Sequence, residues 1–266
     1  MKLRPVGSKR SARLDDSDAR VHGDVKTGDA LDRATAKQIQ RISDCQRVLY
    51  ADGRHAVLIV LQGRDASGKD GTIRRVFTAV NPQGCSVASF NVPSELERTH
   101  DYLWRVHMQV PPRGMIGIFN RSHYEDILIP RVHDLLPKKV WSARYGQIND
   151  FEQMLAENGV LILKFFLHIS RDEQKRRLQE RLRDPQKNWK FRLGDLDDRL
   201  KWDDFTKAYR GILTHTSKKW APWYVVPADD KQVRDWLVAR TIADAMTKLK
   251  LRYPPPDPSL AGLEIE

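Results

Sequence analysis

The chain has 266 residues, 40% of them apolar and 30% charged, with a formal net charge of +11. That length and apolar content allow one large α/β domain or two small ones, and no apolar run reaches the ~20 residues of a membrane span. Residues 1–13 are basic but lack the apolar core of a secretory signal, and two cysteines without metal-ligand spacing, Cys45 and Cys85, argue against a disulfide framework and for a reducing cytoplasm.

In chain order, residues 1–30 are polar and read as a flexible arm rather than core. Helical apolar spacing over 31–49 stops at Asp52-Gly53. An apolar run over 56–61 reads as a strand. Gly63-Arg64-Asp65-Ala66-Ser67-Gly68-Lys69-Asp70-Gly71 follows it, then a helix over 72–80. Asn81-Pro82-Gln83-Gly84 is a turn, 85–92 a second strand, and Ser94 caps a helix running to about residue 108. A short strand covers 115–119, and 123–136 reads as a helix interrupted or restarted near Pro130. A helix over 149–157 stops at Asn158-Gly159. The nearly continuous apolar run over 160–167 suits a central parallel strand. Ser170 caps a charged helix over 171–183, 223–226 is a last strand, 231–251 a terminal helix, and 254–266 an extended tail. Alternating strands and helices predict a doubly wound, mostly parallel sheet with helices on both faces, in a single domain over 31–253.

The segment 63–71 lies between a strand and a helix, which is the setting of a phosphate-cradling P-loop. Loop amides and the helix N-terminus favour an anion, and Lys69 reaches its outer phosphates. Asp70 stands where a Ser or Thr usually follows the Gly-Lys pair. With Asp65 it adds carboxylate to an anion site, which suggests Mg²⁺ and a densely charged phosphate substrate. The alternative is an ordinary glycine-rich turn. The segment Asn120-Arg121-Ser122-His123-Tyr124-Glu125-Asp126 follows the 115–119 strand and should face the same crevice. One helical turn allows Arg121 to pair with Glu125, leaving Asp126 for the metal. The alternative is a capped helix start. The third segment, about 171–210, is rich in Arg and Lys and reads as a mobile lid, against the alternative of a solvated face. The spacing of Trp189, Phe191, Trp202, Phe205 and Tyr209 reads as core or lid packing, against the alternative of stacking a base.

The segments GRDASGKDG and FNRSHYED, in this order and setting, resemble polyphosphate kinase family 2 over residues 31–251, with Asp184-Pro185 and Lys187-Asn188-Trp189-Lys190 similar to that family's lid. The resemblance implies a P-loop kinase-like three-layer αβα fold with a mostly parallel sheet and a helical lid. It also implies reversible, Mg²⁺-dependent transfer of a terminal phosphoryl group between inorganic polyphosphate and a nucleotide, with Mn²⁺ as a substitute metal. Similarity to the short members implies ADP and AMP as acceptors, GDP and GMP as further ones, a homo-oligomer, and neither membrane nor specific nucleic acid as partner. Catalytic roles carry over to Asp65, Lys69, Asp70, Arg121 and Asp126, with Arg176 and Arg181 from the lid. Phosphate binding carries over to Gly63, Arg64, Ala66, Ser67, Gly68, Gly71, Asn120, Glu125 and Arg183, and metal binding to Asp65 and Asp126. Two other functions stand beside this one: an ordinary kinase with ATP as donor, and a nucleic-acid-binding P-loop protein. The net charge suits the second, but no helix-turn-helix, zinc finger or RRM signature accompanies it.

Overall fold

The computed structural model describes residues 1–7, 12–23, 25 and 27–265. Residues 8–11, 24 and 26 of the expected arm, and residue 266 of the tail, lie outside the described residues. Five strands form the sheet: β1 (Ala56–Gln62), β2 (Cys85–Ser89), β3 (Ile116–Asn120), β4 (Val160–His168) and β5 (Trp223–Pro227), in the order β2-β3-β1-β4-β5. Every pairing is parallel. β1 sits at the centre and is buried along its whole length, as its unbroken apolar run requires. Because side chains alternate across a strand, Leu58 and Val60 join one core, and Val57, Ile59 and Leu61 the other.

Helices α1 (Gly28–Asp52), α2 (Lys69–Val76) and α10 (Lys231–Met246) cover one face, burying Leu31, Ile42, Leu49, Val76, Leu237 and Ile242. Helices α5 (Glu125–Val132), α6 (Lys138–Glu157) and α9 (Trp202–Thr216) cover the other with Ile127, Ile148, Phe151, Tyr209 and Ile212. Short helices α3 (Glu95–Arg98) and α4 (Trp104–His107) lie between β2 and β3. Helices α7 (Arg171–Arg183) and α8 (Gly194–Leu200) follow β4. This is the expected three-layer αβα arrangement.

Several elements differ from the sequence reading. The arm is not separate from the core: Leu3, Ala12, Leu14 and Ala19 are buried, and the Val6 N–H donates to the Trp223 carbonyl. The physical reason is the open edge of β5, whose unpaired backbone and apolar side chains need a cover. The helix expected over 95–108 is broken into α3 and α4, with Ser94 capping the first through a reciprocal bond with Glu97. Helix α6 begins at Lys138 rather than 149, and α5 carries Pro130 within it. The expected lid ends sooner than residue 210. From Trp202 the chain forms α9, which buries Trp202, Phe205, Ala208, Tyr209 and Ile212 and belongs to the core.

Candidate active site

The loop after β1 turns through Ala66 (φ 63°) and Gly68 (φ 102°) before entering α2 at Lys69. A Cβ at Gly68 would lie 1.9 Å from Arg234 Nη1, so only glycine fits both this backbone and this neighbour. The loop carbonyls are gripped from outside. Arg177 Nη1 donates to Ala66 O (3.0 Å) and Ser67 O (3.2 Å), Arg234 Nη1 to Ser67 O (3.2 Å), and Gln174 Nε2 to Asp65 O (3.1 Å). Carbonyls turned outward leave the loop N–H groups for the inside, the arrangement that receives a phosphate. Lys69 Nζ donates to Gly63 O at 2.7 Å and Arg64 O at 3.3 Å. Burial, reinforced by the Arg121 charge and only partly offset by Asp65, Glu125 and Asp70, pushes its pKa down to about 8.

The parallel register sets Leu61 of β1 beside Asn120 at the end of β3, so the second motif starts next to the loop. Asn120 Nδ2 donates to Asp70 Oδ1 (2.9 Å). Arg121, at φ 63°, donates its backbone N–H to Leu61 O (3.0 Å) and its Nη2 to Asp65 Oδ1 (2.9 Å). Gln62 Nε2 donates to Ser122 Oγ (3.1 Å), tying the end of β1 to the motif. Burial raises the Glu125 carboxyl, with the Arg121 and Lys69 charges opposing it. Asp126 lies 3.4 Å from Arg105 Nη2 and 4.0 Å from Arg144 Nη1. Below the motif, Tyr124 donates to the buried Glu152 (2.8 Å) and accepts from the buried Lys164 (2.7 Å).

The segment after α7, expected as a lid, reaches the same point. Lys190 Nζ donates to Asp70 Oδ2 at 3.1 Å. Burial raises the Asp70 carboxyl, but the bonds from Asn120 and Lys190 outweigh it, and the net shift is downward. Asp70 therefore joins the loop, the second motif and the lid.

The structure thus gathers Asp65, Lys69, Asp70, Asn120, Arg121 and Glu125. It places others elsewhere. The Arg64 guanidinium stacks over Trp202 (3.8 Å) and donates to Thr206 Oγ1 (2.5 Å), so it anchors α9 rather than facing the loop interior. Arg121 pairs with Asp65 instead of Glu125. Asp126 is held by Arg105 and Arg144, so Glu125 and not Asp126 is the motif's acid beside Lys69. Arg176 pairs with Glu173 and Glu180 on its own helix and points to solvent. Arg181 lies 3.9 Å from Asp195 of α8, and Arg183 is exposed. Sequence reasoning missed Lys190 as a contact of Asp70, and Arg177, Arg234, Gln62 and Gln174 as supports. Of these only Arg177 carried a local signal, Glu173 four residues before it. Among the described residues no three His, Cys, Asp or Glu side chains converge as a metal cluster.

Comparison with known proteins points to one family. Residues 26–254 match the family described as Polyphosphate kinase 2 (PPK2). The chain is 50% identical over its full length to the AMP/ADP-polyphosphate phosphotransferase of Meiothermus ruber, covering 98% of that protein. It is 49% identical to the ADP-polyphosphate phosphotransferase of Rhodopseudomonas palustris, over 84% of this chain and 81% of that one. The crystal structure of polyphosphate kinase 2 from Arthrobacter aurescens superposes with a TM-score of 0.88 at 40% identity, covering 95% of this chain and 90% of that one. With the family match over residues 26–254, the full-length likeness to a curated relative and the three-layer αβα fold, this chain belongs to the polyphosphate kinase 2 family.

Proposed function

We propose that the protein transfers a terminal phosphoryl group reversibly between inorganic polyphosphate and AMP or ADP, with GMP and GDP as further acceptors, acting in the cytoplasm as a homo-oligomer. The observation that carries the reading is the full-length likeness to an AMP/ADP-polyphosphate phosphotransferase, on a loop that retains Lys69 and the carboxylates Asp65 and Asp70. Among the described residues no helix is long and apolar enough to cross a membrane.

Phosphate oxygens are already ionised, so the transfer needs positioning and charge neutralisation more than acid–base chemistry. The loop amides and Lys69 hold the phosphoryl group. Arg121 sits across from Asp65 and offsets charge on the equatorial oxygens. Lys190 and the lid cations Arg181 and Arg183 close over the polymer. Asp65 and Asp70 would supply hard carboxylate oxygens to Mg²⁺ or Mn²⁺ once substrate phosphates take over their present partners Arg121, Asn120 and Lys190; two carboxylates are too few to enclose an ion, which matches a cation that shares its coordination with water and substrate phosphates. When bound there, such an ion would supply charge neutralisation between the two substrates. Asp126, bound to two guanidiniums, instead fixes the motif.

The test is direct: supply AMP, ADP, GMP or GDP with polyphosphate and Mg²⁺ or Mn²⁺, and measure the higher nucleotide. Its absence, with phosphorylation from ATP intact, overturns the reading. Lys69→Ala is expected to lower turnover by about 10³-fold or more with an unchanged circular dichroism spectrum. Near-normal turnover removes the lysine from the mechanism.

A further inference from the structure

Helices α1 and α10 enclose an open groove of about 730 Å³ on the surface, bordered by Arg33, Lys37 and Arg41 on α1 and by Trp236, Arg240 and Asp244 on α10. Nothing in the transfer chemistry above uses it. Arg33, Lys37 and Arg41 are spaced four residues apart, so they form one stripe about 12 Å long. Like charges at this spacing destabilise a helix unless an anion lies between them. The protein supplies too little: Asp244 is the anion of the groove, and Lys2 (3.6 Å), Arg41 (3.0 Å) and Arg240 (3.9 Å) all share it. Arg33 and Lys37 are exposed, and among the described residues neither has a carboxylate within ion-pair distance.

The groove lies on the face of the sheet that also carries α2, the helix that follows the loop. Asp32, next to Arg33, accepts from Arg75 Nη2 (3.0 Å) and Gln232 Nε2 (3.2 Å). Arg75 stands six residues after Lys69 on α2, about 9 Å along the helix axis. At the head of α10, burial pushes the Lys231 ammonium down, with the charges of Arg177, Arg176 and Arg234 acting in the same direction and Glu180 opposing them. Arg75 and Lys231 add positive charge on this face, with Asp32 and Glu180 as the acids among them.

We propose that this groove is a second, non-catalytic docking site for inorganic polyphosphate, holding a distant stretch of the polymer while its end lies in the loop. The proposal rests on the functional reading above. An unbranched polyanion is favoured over nucleic acid or an acidic protein because the groove presents cations in excess of its one carboxylate and the transfer reading already places this polymer on the same molecule. A long chain spans both places, and tripolyphosphate is too short to do so.

The experiment compares the wild type with R33Q/K37Q and R33E/K37E, using tripolyphosphate and a long polyphosphate as donors to ADP. The expected result is a rise of about tenfold in KM for the long polymer, and a decrease of about 2 in its log–log salt slope for R33Q/K37Q. KM for tripolyphosphate and for ADP, kcat and the melting temperature stay unchanged. An unchanged ratio of long to short KM overturns the groove. So does an equal shift for both donors, or a loss of RNA binding with the long-polymer KM intact. Equilibrium binding of the long polymer to the same proteins separates the two claims. Weaker binding in the variants upholds the groove even where no transfer is detected, in which case only the functional reading fails.

Discussion

Burial works against the charge of Lys69. Its ammonium lies under the loop, bonded to backbone carbonyls rather than to a carboxylate, and its pKa falls to about 8 from an ordinary 10.5. Only the protonated form attracts phosphate. Since kcat/KM reports the free enzyme, its value for polyphosphate is expected to fall as pH rises through about 8. The stability sign is opposite. Between pH 8 and 10.5 the unfolded chain keeps the proton and the folded chain has lost it, so this group's contribution to stability rises with pH across that window. A pH profile of kcat/KM with a parallel urea series checks both, and a kcat/KM profile flat to about pH 9.5 contradicts the first. Asp65, Lys69 and Asp70 were legible in the sequence because a loop between strand and helix fixes its residues by short-range geometry. The partners were not: Asp126 is neutralised by Arg105, which precedes it by 21 residues in another element.

At the scale of elements, α7 shows how one residue of spacing changes a role. Arg177 is buried and binds Glu173, Ala66 O, Ser67 O, Ala228 O and Asp229 O, so it joins α7 to the loop and to the end of β5. Arg176, next in the chain, faces solvent. Arg177→Ala is expected to cost about 3 kcal/mol in urea denaturation and to weaken polyphosphate use, because several buried carbonyls lose a charged donor. Arg176→Ala is expected to change stability by less than about 0.5 kcal/mol. Equal effects from the two would contradict this account of α7. The charged helix over 171–183 was legible from Ser170 and its acidic first turn. The first half of α6 was not, since residues 138–147 bury no side chain fully and its only apolar contacts with the core, Trp141 and Tyr145, are half-buried among charged and polar neighbours. In α9 the stripe Trp202, Phe205, Tyr209, Ile212 was present, but the surrounding charge drew attention to a lid.

For the whole molecule, a buried ionic cluster joins the sheet to the second motif. Lys164 of β4 bonds Tyr124 (2.7 Å) and the Thr216 carbonyl (2.8 Å), and pairs with Glu152 of α6, which also meets His123 (3.2 Å). Burial raises the Glu152 carboxyl, and the Lys164 charge and the His123 bond override it, so it stays ionised. Lys164→Met alone is expected to destabilise by about 3–5 kcal/mol, because it strands a buried carboxylate, while Lys164→Met with Glu152→Leu recovers most of that loss. A double variant as unstable as the single one, measured by urea denaturation, counts against the pairing. The amino-acid sequence by itself determined the succession of strands and helices along the chain, the strand–loop–helix setting of residues 63–71 and the fold class, because these follow from periodicity and turn chemistry within a few neighbouring residues. Only the tertiary structure decided which arginine supports the loop, which acid approaches Lys69, and that the N-terminal segment covers β5. Those outcomes depend on which distant surfaces are brought to share one low-dielectric space, and no local pattern records them.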